Sequence, residues 1–167
     1  IASEEILYPE IARALALRGA EVFLHSTSEI GSTRLTPKDV AKRARAIENL
    51  ACVVSANTGG FIDADLAVDS TNGMSKIVDH LGEVRIEAGF GESAVACAEI
   101  DLAALRRYRR RPGMGNLLSR QRLELFAPVY GGAPVYPANS LLDPAGQVVT
   151  PERSHFIATQ RAVIERL

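Results

Sequence analysis

Near its start the sequence reads Ser3-Glu4-Glu5-Ile6-Leu7-Tyr8-Pro9-Glu10, with Arg13 just beyond. A serine ahead of a helix N-terminus can act as a nucleophile whose developing negative charge is stabilised by exposed helix N–H groups. The same serine also reads as a simple cap or turn residue. No histidine is tied to it by spacing, so a serine triad has no support. Metal chemistry fares no better. His25, His80, His155, Cys52 and Cys97 lie far apart, with no ligand pair at helical or knuckle spacing. Asp63, Asp65 and Asp69 share one loop, but without the alternating oxygen ligands and closing glutamate of a calcium loop. Gly59-Gly60 and Gly89-Phe90-Gly91 read as turns, since neither joins a strand to a helix in the manner of a phosphate cradle. Arg106, Arg107, Arg109, Arg110 and Arg111, with Arg120 and Arg122 beyond, could meet phosphates. They read equally as a solvated helix end, where cations are favoured, or as a subunit interface. No metal and no cofactor is expected.

Composition narrows the field further. The chain has 167 residues, 47% hydrophobic and 23% charged, with a net charge of -1, which describes a globular domain of ordinary size. It argues against disorder and against a uniformly basic nucleic-acid binder. No apolar run approaches the roughly 20 residues of a membrane span, and no basic-then-apolar leader is evident. Cys52 and Cys97 sit in apolar, strand-like runs and read as buried free thiols, which suits a reducing, cytoplasmic setting. The chain opens at Ile1 and enters a helix within nine residues, which reads as the start of a fragment.

The elements that must position Ser3 follow in order. Pro9 to Arg18 predicts a helix with proline at its first position and Gly19 after its end, Ile11 and Leu15 sharing a face. Ala20 to Leu24 is a short buried strand, followed by a polar loop from His25 to Leu35. Thr36 caps a second helix with Pro37 first, along which Val40, Ala44, Ile47 and Ala51 repeat at helical spacing. Ala51 to Ala56 is another buried strand, giving the alternation of an α/β layer. A long loop spans Thr58 to Asn72. Met74 to Val78 and Glu83 to Ile86 flank a hairpin turn, and Ser93 to Ile100 predicts a further strand. Asp101 caps a helix ending at the arginines and broken by Pro112-Gly113; Asn116 to Phe126 reads as helical. Ala127 to Gln147 reads as an extended arm, and Thr150-Pro151-Glu152 opens a last helix carrying Phe156, Val163, Ile164 and Leu167 on one side.

Four ordered motifs carry a resemblance. Ser3, Glu4 and Glu5 with Tyr8-Pro9-Glu10 and Arg13 are similar to the nucleophile motif of the nitrilase superfamily of carbon–nitrogen hydrolases, where a cysteine stands in place of Ser3. Gly19-Ala20-Glu21-Val22 is similar to the entry of the following strand. Arg45-Ala46-Ile47-Glu48-Asn49 with Val53 to Asn57 resembles the family's Arg-Ala-x-Glu-Asn helix and strand. Gly73-Met74-Ser75-Lys76-Ile77 with Gly82 resembles its Gly-x-Ser strand and hairpin. The resemblance is close over residues 1–105 and looser over 106–167, the second region being expected as helices and an arm at an oligomer interface.

The resemblance implies an α/β fold, an αββα sandwich of the nitrilase type, of which this chain would be the C-terminal half with an extended arm and helix. It also implies a mechanism in which a glutamate base, a lysine and a cysteine cleave an amide or nitrile through an acyl-enzyme. Ser3 would hold the nucleophile position and the Glu4 backbone N–H would help hold the oxyanion. The glutamate and lysine come from strands ahead of the nucleophile in family members, so the chain alone is expected to be inactive. In carbamoyl-amino-acid hydrolases of the family, arginines after the nucleophile grip a carboxylate; Ile6 and Leu7 stand there instead. Ser26, Thr27 and Ser28 would form a pocket wall suited to an uncharged small-molecule amide or nitrile. Glu10, Arg13, Arg45 and Glu48 would be charge pairs bracing helices to the sheet, with Asn57 and Ser75 also structural. A homo-oligomer is expected, without membrane association. Two other readings stay open: a non-catalytic nitrilase-like binding or assembly module, and, with less support, a nucleic-acid partner for the arginines.

Overall fold

The computed structural model describes residues 1–29, 31, 35–61, 71–132 and 136–166. They form two compact units, Ile1–Gln121 and Arg122–Leu167. The first holds a 3-10 turn (Ser3–Leu7), helices α1 (Pro9–Leu17), α2 (Pro37–Asn49) and α3 (Leu102–Arg110), and strands β1 (Val22–Thr27), β2 (Cys52–Asn57), β3 (Lys76–Val78) and β4 (Val84–Glu87). The second holds α4 (Leu123–Gly132) and α5 (Arg153–Ile164).

Among the described residues the strands form one sheet in the order β1-β2-β3-β4, with β1 and β2 parallel and the other pairs antiparallel. In the parallel pair Phe23 stands beside Val53, His25 beside Ser55 and Thr27 beside Asn57, while Val53 meets Val78 and Ser55 meets Lys76. Alternation along each strand therefore gathers these residues on one face. The face is graded. Phe23, Val53 and Val78 join Ala12 and Ala16 of α1 and Ala46 of α2 in the hydrophobic core. Two residues along each strand the same face turns polar, with His25, Ser55 and Lys76 all buried. On the opposite face Leu24 is 69% exposed.

Several sequence expectations change on contact with the structure. β1 does not stop at Leu24 but runs to Thr27, because His25, Ser26 and Thr27 each find a partner on β2. The supposed polar loop thus begins inside the sheet. Helix α2 begins where expected, at Pro37 after the Thr36 cap, but presents the other face. Val40 and Ile47 are exposed, while Asp39, Lys42, Arg45 and Asn49 are buried. Burying charge is tolerated only where partners await it; Asp39, Lys42 and Arg45 each have one, as described below, and the neutral Asn49 donates from Nδ2 to the Arg45 carbonyl at 2.9 Å. Ser93 to Ile100 is neither helix nor strand and joins no ladder among the described residues, and Cys97 is exposed, not buried; Cys52 is buried.

Further along, the stretch from Asn116 is not one helix. Asn116 donates to the carbonyls of Arg109 and Arg111 and accepts from the Ser119 amide, bonds that cap α3 and favour turns over helix. Helix α4 starts only at Leu123 and runs through Pro128 to Gly132, so the expected arm is helical at its start; beyond it, turns surround a bridge between Leu142 and Val148. The hairpin after β3 stands as expected: Asp79 accepts from the amides of Leu81 and Glu83, and Gly82 takes φ 82°. Asp63, Asp65 and Asp69 lie outside the described residues, as does Leu167.

Candidate active site

Ser3 opens the 3-10 turn with φ 45°, the left-handed region. A non-glycine residue held there stores roughly 1–3 kcal/mol and persists only where its surroundings fix it. The surroundings are visible. Glu5 accepts from the Ala2 amide at 2.7 Å, and the Glu5 amide bonds back to the Ala2 carbonyl at 3.0 Å, closing the turn. Ala2 bridges to Ser26 of β1, and the Ser3 carbonyl accepts from His25 Nε2 at 2.9 Å. The amides of Ser3 and Glu4 come ahead of the first internal bond of the turn, as the opening N–H groups of any helix do.

The Ser3 hydroxyl meets a cation. Lys38 Nζ donates to Ser3 Oγ at 3.2 Å and to Thr27 Oγ1 at 3.1 Å. Lys38 reaches this point because Thr36 and Pro37 start α2 beside the end of β1: the Asp39 amide donates to Thr36 Oγ1 at 3.2 Å, a helix cap built on the spot. Ser3, Glu4 and Leu7 line one side of a cleft of about 420 Å³, faced by Ser28, Glu29, Thr36, Pro37 and Lys38. Among the described residues no carboxylate hydrogen-bonds to Ser3 Oγ.

Beneath the cleft lies a buried chain of charges. Lys42 bonds Glu29 at 2.6 Å and approaches Asp39 at 3.5 Å; Lys76 bonds Asp39 at 2.8 Å and pairs with Glu87. Thr36 Oγ1 donates to Glu29 at 3.0 Å, and the Glu29 amide donates to Asn57 Oδ1 at 2.8 Å. Burial alone would raise the Asp39 pKa, but the Lys76 hydrogen bond and the charges of Lys76 and Lys42 bring it below the ordinary carboxylate value. For Lys76 burial acts to lower, and Asp39 and Glu87 overcome it, so its pKa rises. The His25 pKa is lowered, chiefly by burial.

The residues singled out from sequence divide among three places. Ser3, Glu4 and Ser28 share the cleft, Thr27 touches the same lysine, and Ser26 is taken up by its bridge to Ala2. Arg45 donates to the carbonyls of Ile6 and Leu7, both at 2.9 Å, and to Glu48 at 2.8 Å. It therefore braces α2 to the turn that carries Ser3, not to the sheet. Arg13 lies near Glu48 and Arg45, its pKa lowered chiefly by burial, and Glu10 is exposed at the start of α1. Asn57 and Ser75 bond each other across β2 and the start of β3: the Asn57 amide donates to Ser75 Oγ at 2.9 Å, which donates back to the Asn57 carbonyl at 3.3 Å. Asn57 Nδ2 also reaches the Gly73 carbonyl at 2.7 Å.

Sequence reasoning missed His25, Lys38, Glu29, Lys42 and Lys76. One signal was available, because Asp39, Lys42, Arg45 and Asn49 repeat at helical spacing as regularly as the apolar stripe does. The arginine run is partly committed inside the first unit. Arg106 makes a two-bond pair with Glu21, both at 2.8 Å, and Arg109 donates to the carbonyls of Leu50, Ala20 and Asn49. Among the described residues no three His, Cys, Asp or Glu side chains cluster as a metal site would require, and no helix is long and apolar enough to cross a membrane.

Comparison with known proteins decides the family. The family model described as carbon–nitrogen hydrolase matches residues 3–110, from the strained serine to the end of α3. The chain belongs to the carbon–nitrogen hydrolase family. Solved structures agree with the nitrilase fold inferred from the four motifs. A carbon–nitrogen hydrolase from Helicobacter pylori G27 is 25% identical with a TM-score of 0.60, covering 77% of this chain and 47% of that one. The NitFhit protein of C. elegans is 27% identical with a TM-score of 0.56, covering 74% and 28%. The NitN amidase of a Nesterenkonia species, strain AN1, is 24% identical with a TM-score of 0.56, covering 76% and 43%, and shares the fold. The chain thus spans less than half the length of each of these relatives. No curated protein sequence matches it.

Proposed function

We propose that this carbon–nitrogen hydrolase chain carries the nucleophile end of a site that cleaves a small, non-peptide amide or nitrile through an acyl-enzyme. The observation that supports this best is Ser3 itself: a strained residue at the head of a helical turn, its hydroxyl in a cleft beside a lysine. In this reading Ser3 Oγ attacks the amide or nitrile carbon, its proton passing to a base. The Glu4 N–H and the Lys38 ammonium stabilise the charge that develops. From an amide, ammonia or an amine leaves with the proton the base took up. From a nitrile, a first water adds to the imidate before ammonia leaves. In both cases a water then releases the acid from the acyl-enzyme. Ser28 and Thr27 add small polar groups suited to an uncharged substrate.

The described residues supply no carboxylate base at Ser3 Oγ. A serine hydroxyl is also much less acidic than a thiol, whose reference pKa is about 8.5. The chain by itself is therefore expected to turn over little or nothing, with a glutamate and a further lysine needed to complete the site. A homo-oligomer and a cytoplasmic setting are part of the same reading. The second reading, a non-catalytic binding or assembly module, draws on the same two facts: serine at the cysteine position, and its hydroxyl already engaged by Lys38.

Ammonia release from a panel of simple amides and nitriles separates the two. In the full-length gene product Ser3→Cys is expected to raise the rate at least tenfold above the parent, with a thioester adduct visible by intact mass. No release and no adduct from either form would leave the module as the better account.

A further inference from the structure

The Ser3 backbone is held by a side chain that the family motifs do not include. We propose that His25 is a positioning residue for the nucleophile: its Nε2–H, fastened to the Ser3 carbonyl, fixes the left-handed backbone that aims Ser3 Oγ at the cleft. The bond measures 2.9 Å and the imidazole is 2% exposed. A carbonyl can only accept, so Nε2 carries the proton. In the neutral ring Nδ1 must then accept, and Ser55 Oγ stands 2.9 Å from it to donate. The sheet dictates this arrangement, because His25 and Ser55 are register partners of the parallel strands β1 and β2. Ser3 is thereby gripped at both ends, its carbonyl by His25 and its hydroxyl by Lys38.

The ring is kept neutral by its surroundings. Burial acts first, and Lys42 and Lys38 of α2 add positive charge against protonation. Glu29, from the segment after β1, and the Ser3 carbonyl act the other way without prevailing. Neutrality leaves the ring a single N–H, and the Ser3 carbonyl, which can only accept, selects the tautomer that carries it on Nε2. The catalytic consequence rests on the hydrolase reading, whereas the conformational one stands without it.

Two variants of the full chain test the assignment. His25→Leu removes the donor, and His25→Gln restores an N–H at a similar reach. The three-bond HN–Hα coupling of Ser3 reports its φ, and ring 15N shifts report the tautomer. The parent is expected to show a neutral ring protonated at Nε2 at pH 7.5. His25→Leu is expected to move the Ser3 coupling off its left-handed value while leaving the amides of α1 in place, and His25→Gln to keep it. With the Ser3→Cys enzyme and a turned-over amide, His25→Leu should lower kcat tenfold or more with KM within twofold, and His25→Gln should recover most of the loss. An unchanged Ser3 coupling in His25→Leu, or a charged or Nδ1-protonated ring in the parent, would overturn the proposal. Should His25→Leu fail to fold, the parent's ring nitrogens and the His25→Gln coupling decide alone. Absence of turnover in every form would count against the hydrolase reading, and the NMR results would still judge His25.

Discussion

Asp39 touches two lysines from different elements, Lys76 of β3 and Lys42 of its own helix, at 4% exposure. Replacing it by asparagine removes the carboxylate shared by the two ammonium groups, although Lys42 keeps Glu29 and Lys76 keeps Glu87. The loss is then that of hydrogen bonds to charged groups, about 1.5–3 kcal/mol. Urea denaturation of Asp39→Asn is expected to show a loss of that order; a loss under about 1 kcal/mol would mean that water reaches these lysines. At this scale the sequence was legible where a motif named the residue, as with Ser3, Arg45 and Asn57. It was silent where the role depends on a distant partner. Nothing local in Leu24-His25-Ser26 reveals that a serine thirty positions later faces the ring. Lys38 looks like an ordinary first-turn lysine until β1 brings Ser3 and Thr27 to it.

Helix α2 joins the cleft to the core, and its start is a local device. Thr36 Oγ1 accepts from the Asp39 amide and donates toward both Glu29 and Asp39. Thr36→Ala is expected to cost about 1–2 kcal/mol, at the upper end of cap losses because the hydroxyl also serves the buried carboxylates. Thermal melts would check it, and an unchanged midpoint would show that the cap is dispensable. The start of this helix was readable because threonine followed by proline acts on its own backbone. Its buried face was not, since the choice between Val40–Ala44–Ile47 and Asp39–Lys42–Arg45 rests on Glu29, Lys76 and the carbonyls of Ile6 and Leu7. The same reason ended β1 too early. Polarity marks a loop only when no neighbouring strand is there to pair with it, and β2 pairs through Thr27.

For the molecule as a whole these charges set a pH window. Asp39 has a folded pKa below its ordinary 3.8, so its contribution is complete above that value and is lost as pH falls through the lowered one. The His25 pKa is likewise lowered from 6.5, so its share is full above 6.5 and declines as the pH drops. Lys76 runs the other way: raised from 10.5, it contributes fully below that value and is lost only as pH climbs through the raised one. Buried Cys52, its pKa raised from 9.0 chiefly by burial, adds a decline as pH climbs past 9. The melting midpoint is expected to be flat between about pH 7 and 9, to soften below 6.5 and to collapse under 4. A maximum near pH 5 would contradict this assignment. The α/β class and its hairpin were legible from caps, turn residues and motif order, while the irregular path of residues 93–100 was not, because a strand pattern does not say whether a ladder partner is present.

The polar underside of α2 has a thermal consequence as well. Unfolding returns water to apolar groups, which raises the heat capacity, and to polar groups, which lowers it. Asp39, Lys42, Arg45 and Asn49 of α2, with Lys76 of β3 against them, stand where an amphipathic helix would place hydrocarbon. Their hydration offsets part of the apolar contribution, so the curve of stability against temperature is flatter here than for an oily interior of equal size. The desolvation penalty on the ion pairs also shrinks with heating. Warmth therefore weakens this part of the protein less than acid does.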